Sequence, residues 1–337
     1  MKKIALRSML AFGLVLAGWQ GAFAQTVTCD PSIGAPDGVT TFNDIFLAVA
    51  SFHTGGTNRN NPAANVINLI GIQNLVNHTA GTGPQLPSAG KLDISDIACS
   101  PSLTFNGPAT IILDSNVPND DGSICANFVS TLVPPSRGTR RDIVYNNITF
   151  LPDKLTITSD PDDGFQQAGT DNLYDQLHVI FNDCILTSNK GDDTPSTATG
   201  TGFANASDKK VGDDWMYFNG DPAGIGTILE LNGTIVTHCE DDAVISGGPF
   251  FVCRNTAQNN TRIVYNGGRG VQLFNSALDW VGSPGRPIDV SWNGASPLTP
   301  DAFGNEGISQ LSPGSFTPNT LSYVDFIGNG EAITWIA

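Results

Sequence analysis

An apolar or aromatic pair followed by asparagine, and usually by a small or turn-forming residue, recurs along this chain and narrows its folds more than any other feature. It stands at Thr104-Phe105-Asn106-Gly107, Val144-Tyr145-Asn146-Asn147, Ile180-Phe181-Asn182-Asp183 and Tyr217-Phe218-Asn219-Gly220. It returns at Glu230-Leu231-Asn232-Gly233, Val264-Tyr265-Asn266-Gly267, Leu273-Phe274-Asn275-Ser276 and Ser291-Trp292-Asn293-Gly294. Asparagine and glycine tolerate the left-handed backbone that sharp turns need, so each copy marks a strand end. Ile143-Val144-Tyr145-Asn146 is repeated letter for letter at Ile263 to Asn266. Alternating runs lie between the turns, such as Leu177-His178-Val179-Ile180 and Ile228-Leu229-Glu230-Leu231, the pattern of half-buried strands. Asn-Gly also favours two-residue hairpins, but most of these spacings are too long for tight hairpins. Similar gaps between Asn106, Asn146, Asn182 and Asn219 fit a coiled stack of strands.

Lys and Glu are sparse while Gly, Asn, Asp, Ser and Thr are spread throughout, which favours short strands and turns over helices. One helix is expected over about residues 42–52, capped by Thr41, with Phe42, Ile45, Phe46, Val49 and Phe52 on one stripe. A polar loop follows, and then the strand-like run Val66 to Ile70. This helix, loop and strand, with Ser102 to Asp114 after them, resemble the capping helix and first coils of exported right-handed parallel β-helix proteins of the pectin-lyase-like superfamily. The resemblance covers roughly residues 38 to 295 and is architectural. It implies an all-β fold: a right-handed parallel β-helix (solenoid) with a short N-terminal capping helix. The implied layout is a cap over residues 25–65, coils over 66–295, and an irregular cover over 296–337 ending in the strand Ala332 to Trp335.

The N-terminus reads as a secretory signal peptide over residues 1–24. Lys2, Lys3 and Arg7 precede an apolar run from Met9 to Gly18 and the small-residue site Ala22-Phe23-Ala24. That run is shorter than the ~20 residues a bilayer span needs, so no membrane insertion is expected. The exported address is extracellular, cell-surface or periplasmic. Cleavage would make the formal charge of −16 three units more negative. So acidic a surface excludes nucleic acid as a partner and would meet a polyanionic glycan only through a bridging cation. In an oxidising compartment, Cys29, Cys99, Cys125, Cys184, Cys239 and Cys253 are expected to form disulfides, with Cys239–Cys253 and Cys29–Cys99 the preferred pairs. The four scattered histidines and the absence of Cys-x-x-Cys argue against structural zinc.

Carboxylate clusters supply the candidate chemistry. Asp192, Asp193, Asp213, Asp214 and Glu240 are candidate calcium ligands, since calcium prefers oxygen donors, although no cluster matches an EF-hand loop. Glu240-Asp241-Asp242-Ala243-Val244-Ile245 resembles the paired-aspartate strand of polygalacturonase-type hydrolases, which makes Asp241 and Asp242 catalytic candidates. Two carboxyl groups can carry inverting hydrolysis across an intervening water. The companion Gly-His-Gly motif is missing, because no histidine follows His238. Serine-hydrolase elbows and phosphate-binding glycine loops are also missing. Trp215, Tyr217, Trp280 and Trp292 are candidate platforms for sugar rings. The leading expectation is a non-catalytic exported β-helix that binds a glycan or partner protein. The others are a polysaccharide lyase or glycoside hydrolase, with or without calcium, and a self-associating structural protein.

Overall fold

The computed structural model describes residues 26–52, 56–58, 65–76, 92–94, 102–114, 124–125, 141–152, 164–167, 177–187, 214–218, 227–239, 242–274, 276–294, 306–312 and 319–335. Residues 1–24, expected to be a signal peptide, lie outside them. The described chain is almost wholly β and opens with β1 (Thr26–Cys29), β2 (Thr41–Phe42) and helix α1 (Ile45–Ala50). The helix is shorter than the spacing predicts because neighbouring structure claims its expected first turn. Phe42 pairs with Cys29 in a parallel strand, and Thr41 Oγ1 already accepts the Asp37 N–H at 3.0 Å. Asp44 therefore caps the helix, its carboxylate accepting the Phe46 N–H at 2.7 Å. Ile45, Phe46, Ala48 and Val49 are buried, and α1 packs on β1 and β2.

Strands then arrive in threes. The first set is β3 (Asn65–Leu69), β4 (Gly71–Asn74) and β5 (Leu92–Asp93). In the next two sets one long strand takes the place of two: β6 (Ser102–Leu113) with β7 (Ile124–Cys125), then β8 (Arg141–Pro152) with β9 (Phe165–Gln167). Full triplets follow as β10 (Leu177–Asn182), β11 (Ile185–Thr187) and β12 (Met216–Phe218), then β13 (Ile228–Asn232), β14 (Ile235–Thr237) and β15 (Val244–Ser246). The next are β16 (Phe250–Arg254), β17 (Arg262–Val264) and β18 (Val271–Phe274), then β19 (Ala277–Val281), β20 (Ile288–Ser291) and β21 (Glu306–Ser312). The last is β22 (Thr320–Ser322), β23 (Val324–Asp325) and β24 (Glu331–Trp335). The segment expected as an irregular cover thus extends the strand pairing.

Each strand pairs in parallel with its counterpart in the next triplet, giving three ladders. Ladder one runs β3-β6-β8-β10-β13-β16-β19-β22, ladder two β4-β6-β8-β11-β14-β17-β20-β23, and ladder three β5-β7-β9-β12-β15-β18-β21-β24. Because β6 and β8 serve ladders one and two together, those two ladders join with β1 and β2 in one 16-stranded sheet, and the third ladder is a separate 8-stranded sheet. The parallel strands nearly close into a barrel-like arrangement. No helix among the described residues is long and apolar enough to cross a membrane.

Alternation puts one row of every strand inside. On ladder one, Ile67, Phe105, Tyr145, Phe181, Leu231, Cys253 and Trp280 follow one another in register, all fully buried or nearly so. Phe105, Tyr145 and Phe181 stack at centroid distances of 5.1 and 4.9 Å. The asparagines beside them form a chain at the corner between ladders one and two. Asn106, Asn146, Asn182 and Asn232 each donate a side-chain amide to the previous asparagine's carbonyl, beginning at Asn68, over 2.8–3.1 Å. The left-handed residue at this corner is the one after the asparagine: Asn147, Asp183 or Gly233.

Candidate functional site

The end of ladder two makes a second corner from the same sequence unit by a different geometry. Here Asn266, Asn293 and Asn329 each accept a backbone N–H from the triplet before, those of Cys239, Asn266 and Asn293, at 3.1, 3.2 and 2.8 Å. Their amides donate back to the carbonyls of Val236, Ile263 and Val290 at 3.4, 2.9 and 2.7 Å. These paired bonds bracket three residues and hold them in the left-handed region, with φ of 60° at His238, 60° at Tyr265 and 61° at Trp292; Gly328, before Asn329, shares that conformation at 70°. For a bulky side chain that backbone costs roughly 1–2 kcal/mol, so the hydrogen bonds must impose it.

The result is a row of rings on one corner. The His238 and Tyr265 rings lie 6.1 Å apart. Exposure rises along the row, from buried His238 through half-buried Tyr265 to Trp292, 40% exposed. Gly328 closes the row. A Cβ there would lie 2.2 Å from Trp292 Cε3, so the indole rests on the glycine backbone. Of the four aromatic residues expected to meet sugar, Trp292 is the exposed one, and Tyr217 is half-buried on ladder three. Trp215 and Trp280 are core residues instead, each fully buried. Trp215 donates its indole N–H to the Thr237 carbonyl at 2.8 Å, and Trp280 packs edge-on against Phe251. Burial removes both from any ligand on the outer faces.

The carboxylate candidates fare differently. Asp192, Asp193, Asp213, Glu240 and Asp241 lie outside the described residues. Asp214 and Asp242 come together beside ladder three, both buried, with Asp214 Oδ1 accepting the Asp242 N–H at 3.0 Å. Asp242 also holds Arg269, whose Nη1 reaches its Oδ2 at 3.0 Å and Gln272 Oε1 at 3.2 Å. Glu306 Oε2 stands 3.4 Å from Arg269 Nε, close enough for charge attraction without a formed hydrogen bond. As placed, Asp242 serves the Arg269 guanidinium rather than a substrate on the surface, where a general acid must reach. Among the described residues no three metal-ligating side chains converge on one point.

One polar cluster was not legible in advance. On the outer face of ladder one, buried His178 lies between two carboxylates, with Nε2 2.9 Å from Glu230 Oε2 and Nδ1 3.3 Å from Asp142 Oδ1. The His178 hydrogen bond, seconded by the Asn232 amide, holds the Glu230 carboxyl below its ordinary range despite partial burial. Farther along the same face Arg254 pairs with Asp279. The carboxylates sit on opposite ring nitrogens of His178, so this arrangement ties β8, β10 and β13 together and leaves no shared point for a ligand atom.

The disulfide expectation is corrected for the cysteines whose side chains are described. Cys29, Cys184, Cys239 and Cys253 are buried thiols with no disulfide among them. All four are free, so neither the Cys239–Cys253 nor the Cys29–Cys99 pair forms. Cys99 and the Cys125 side chain lie outside the description. Burial pushes the Cys29 and Cys184 thiols up to about 12 and raises Cys253 well above the ordinary value. Since the thiolate is the reactive form, these sites should resist alkylation in the folded protein. Peptide mapping after iodoacetamide should find all four unmodified in buffer and modified in denaturant. Sites still blocked in denaturant without reductant would show that they are oxidised after all.

Comparison of the chain with protein-family models, curated proteins and solved structures finds no match in any of the three. The functional reading therefore stands on the residues of this chain.

Proposed function

We propose that the three ladders are the faces of an exported right-handed parallel β-helix, capped by α1, which binds a glycan without catalysis. The observation that carries the reading is Trp292: an indole seated on Gly328 by a left-handed backbone, with 40% of the residue exposed. Preorganisation of this kind lowers the cost of ordering a side chain on binding. The parallel stack supports a solenoid reading, because each triplet repeats the same path and presents a long shallow surface suited to a chain-like ligand. Export is supported by the N-terminal sequence, and the acidic balance suits an extracellular surface.

Affinity electrophoresis of the purified protein through immobilised polysaccharides tests this reading. Retardation by at least one glycan is expected, with loss of retardation in Trp292→Ala at an unchanged unfolding transition. Release of reducing or unsaturated sugar ends that is abolished by Asp241→Asn or Asp242→Asn would instead establish the hydrolase or lyase alternative. Retardation unchanged by Trp292→Ala would remove this platform from consideration.

A further inference from the structure

Resting on that reading, we infer that the glycan recognised at Trp292 carries ammonium groups. The charge around the platform is the ground for this. Asp289 lies three residues before Trp292, its register partner Asp325 lies three before Gly328, and both occupy the outer row of ladder two. Asp325 is exposed. Arg262, the register partner of Asp289 on the other side, has its Nε 3.4 Å from Asp289 Oδ2 and so answers that carboxylate, not Asp325. An exposed indole on a row that also carries the exposed Asp325 carboxylate attracts a cation twice, through the ring quadrupole and through the local field. The formal charge of −16 on the whole chain acts in the same direction and opposes a uronate-rich chain. A neutral sugar would gain the stacking alone.

The test compares a glucosamine oligomer at a mildly acidic pH that keeps its amines charged, its N-acetylated counterpart and a galacturonate oligomer, followed by titration calorimetry at low and high salt. The glucosamine oligomer should bind most tightly and weaken as salt rises. Trp292→Ala should weaken it roughly two- to fivefold, the size of an exposed cation–π contact. Asp325→Asn, at an exposed position where folding is not at stake, should weaken the glucosamine oligomer and leave any binding of the acetylated one unchanged. Equal, salt-independent binding of the acetylated oligomer would overturn the ammonium inference and leave glycan binding standing, as would preference for galacturonate. Failure of all three oligomers would overturn both. Displacement of the glucosamine oligomer by oligolysine at equal charge concentration would show that charge alone is read and would overturn the inference of a glycan ligand.

Discussion

Phe181→Ala should cost roughly 3–5 kcal/mol of stability, the range for truncating a fully buried phenylalanine. Phe181 has no exposed surface and stacks on Tyr145 at 4.9 Å with an interplanar angle of 17°. Phe165 and Phe150 meet it edge-on at 5.1 and 6.1 Å. Aromatic pairs add about 0.5–1.5 kcal/mol beyond the area they bury, so removing one ring loses several such contacts and leaves a cavity. The position matters as much as the contacts. Phe181 joins the aromatic half of the inward row to Leu231, Cys253 and Trp280. In a stack stabilised mainly by neighbouring repeats, loosening one interface weakens the cooperation between the two halves. Denaturant unfolding should therefore show a lower midpoint together with a broader transition. Ile180→Ala, on the half-buried outward side of the same strand, should cost less than about 1 kcal/mol. Similar losses for the two variants would mean that β10 is not turned as described.

The sequence announced strand ends but not which corner each end would form. Ile143 to Asn146 and Ile263 to Asn266 are identical in letters, yet Asn146 closes a ladder-one strand and Asn266 closes a ladder-two strand. The four-residue unit encodes an inward side chain and a turn, while the ladder is set by the lengths of the intervening loops. Phe105, Tyr145 and Phe181 could be placed inside because alternation runs on both sides of them. Trp215 could not be, because β12, which follows it directly, has only three residues and its apolar run Met216-Tyr217-Phe218 offers no alternation to read. The pairing of His178 with Glu230 joins residues 52 apart in sequence and follows only from strand register. The seat of the Trp292 indole depends likewise on Gly328 in the next triplet, and no local pattern reports it.

Gly248→Ala should be at least as damaging as the loss of Phe181, for the opposite reason. Gly248 lies on the turn from β15 into β16, and a Cβ there would stand 1.6 Å from the Thr227 carbonyl oxygen and 2.6 Å from its carbon. Thr227 immediately precedes β13, the strand to which β16 pairs. The added methyl would thus force the backbones of adjacent triplets apart where they should be closest. Overpacking usually costs about 1–3 kcal/mol where side chains can move aside; backbone cannot, so a loss above about 3 kcal/mol is expected. Gly34→Ala provides the contrast, with open space around it and no left-handed φ, and should stay within about 0.5 kcal/mol of the parent. The nature of the obstacle also predicts what can be rescued. Thr227→Gly should not relieve Gly248→Ala, because the carbonyl remains. Trp292→Ala should partly relieve Gly328→Ala, because there the obstacle is an indole ring and only the left-handed strain of about 1–2 kcal/mol would persist. Rescue at Gly248 without rescue at Gly328 would reverse the assignment of backbone contact to Gly248 and ring contact to Gly328.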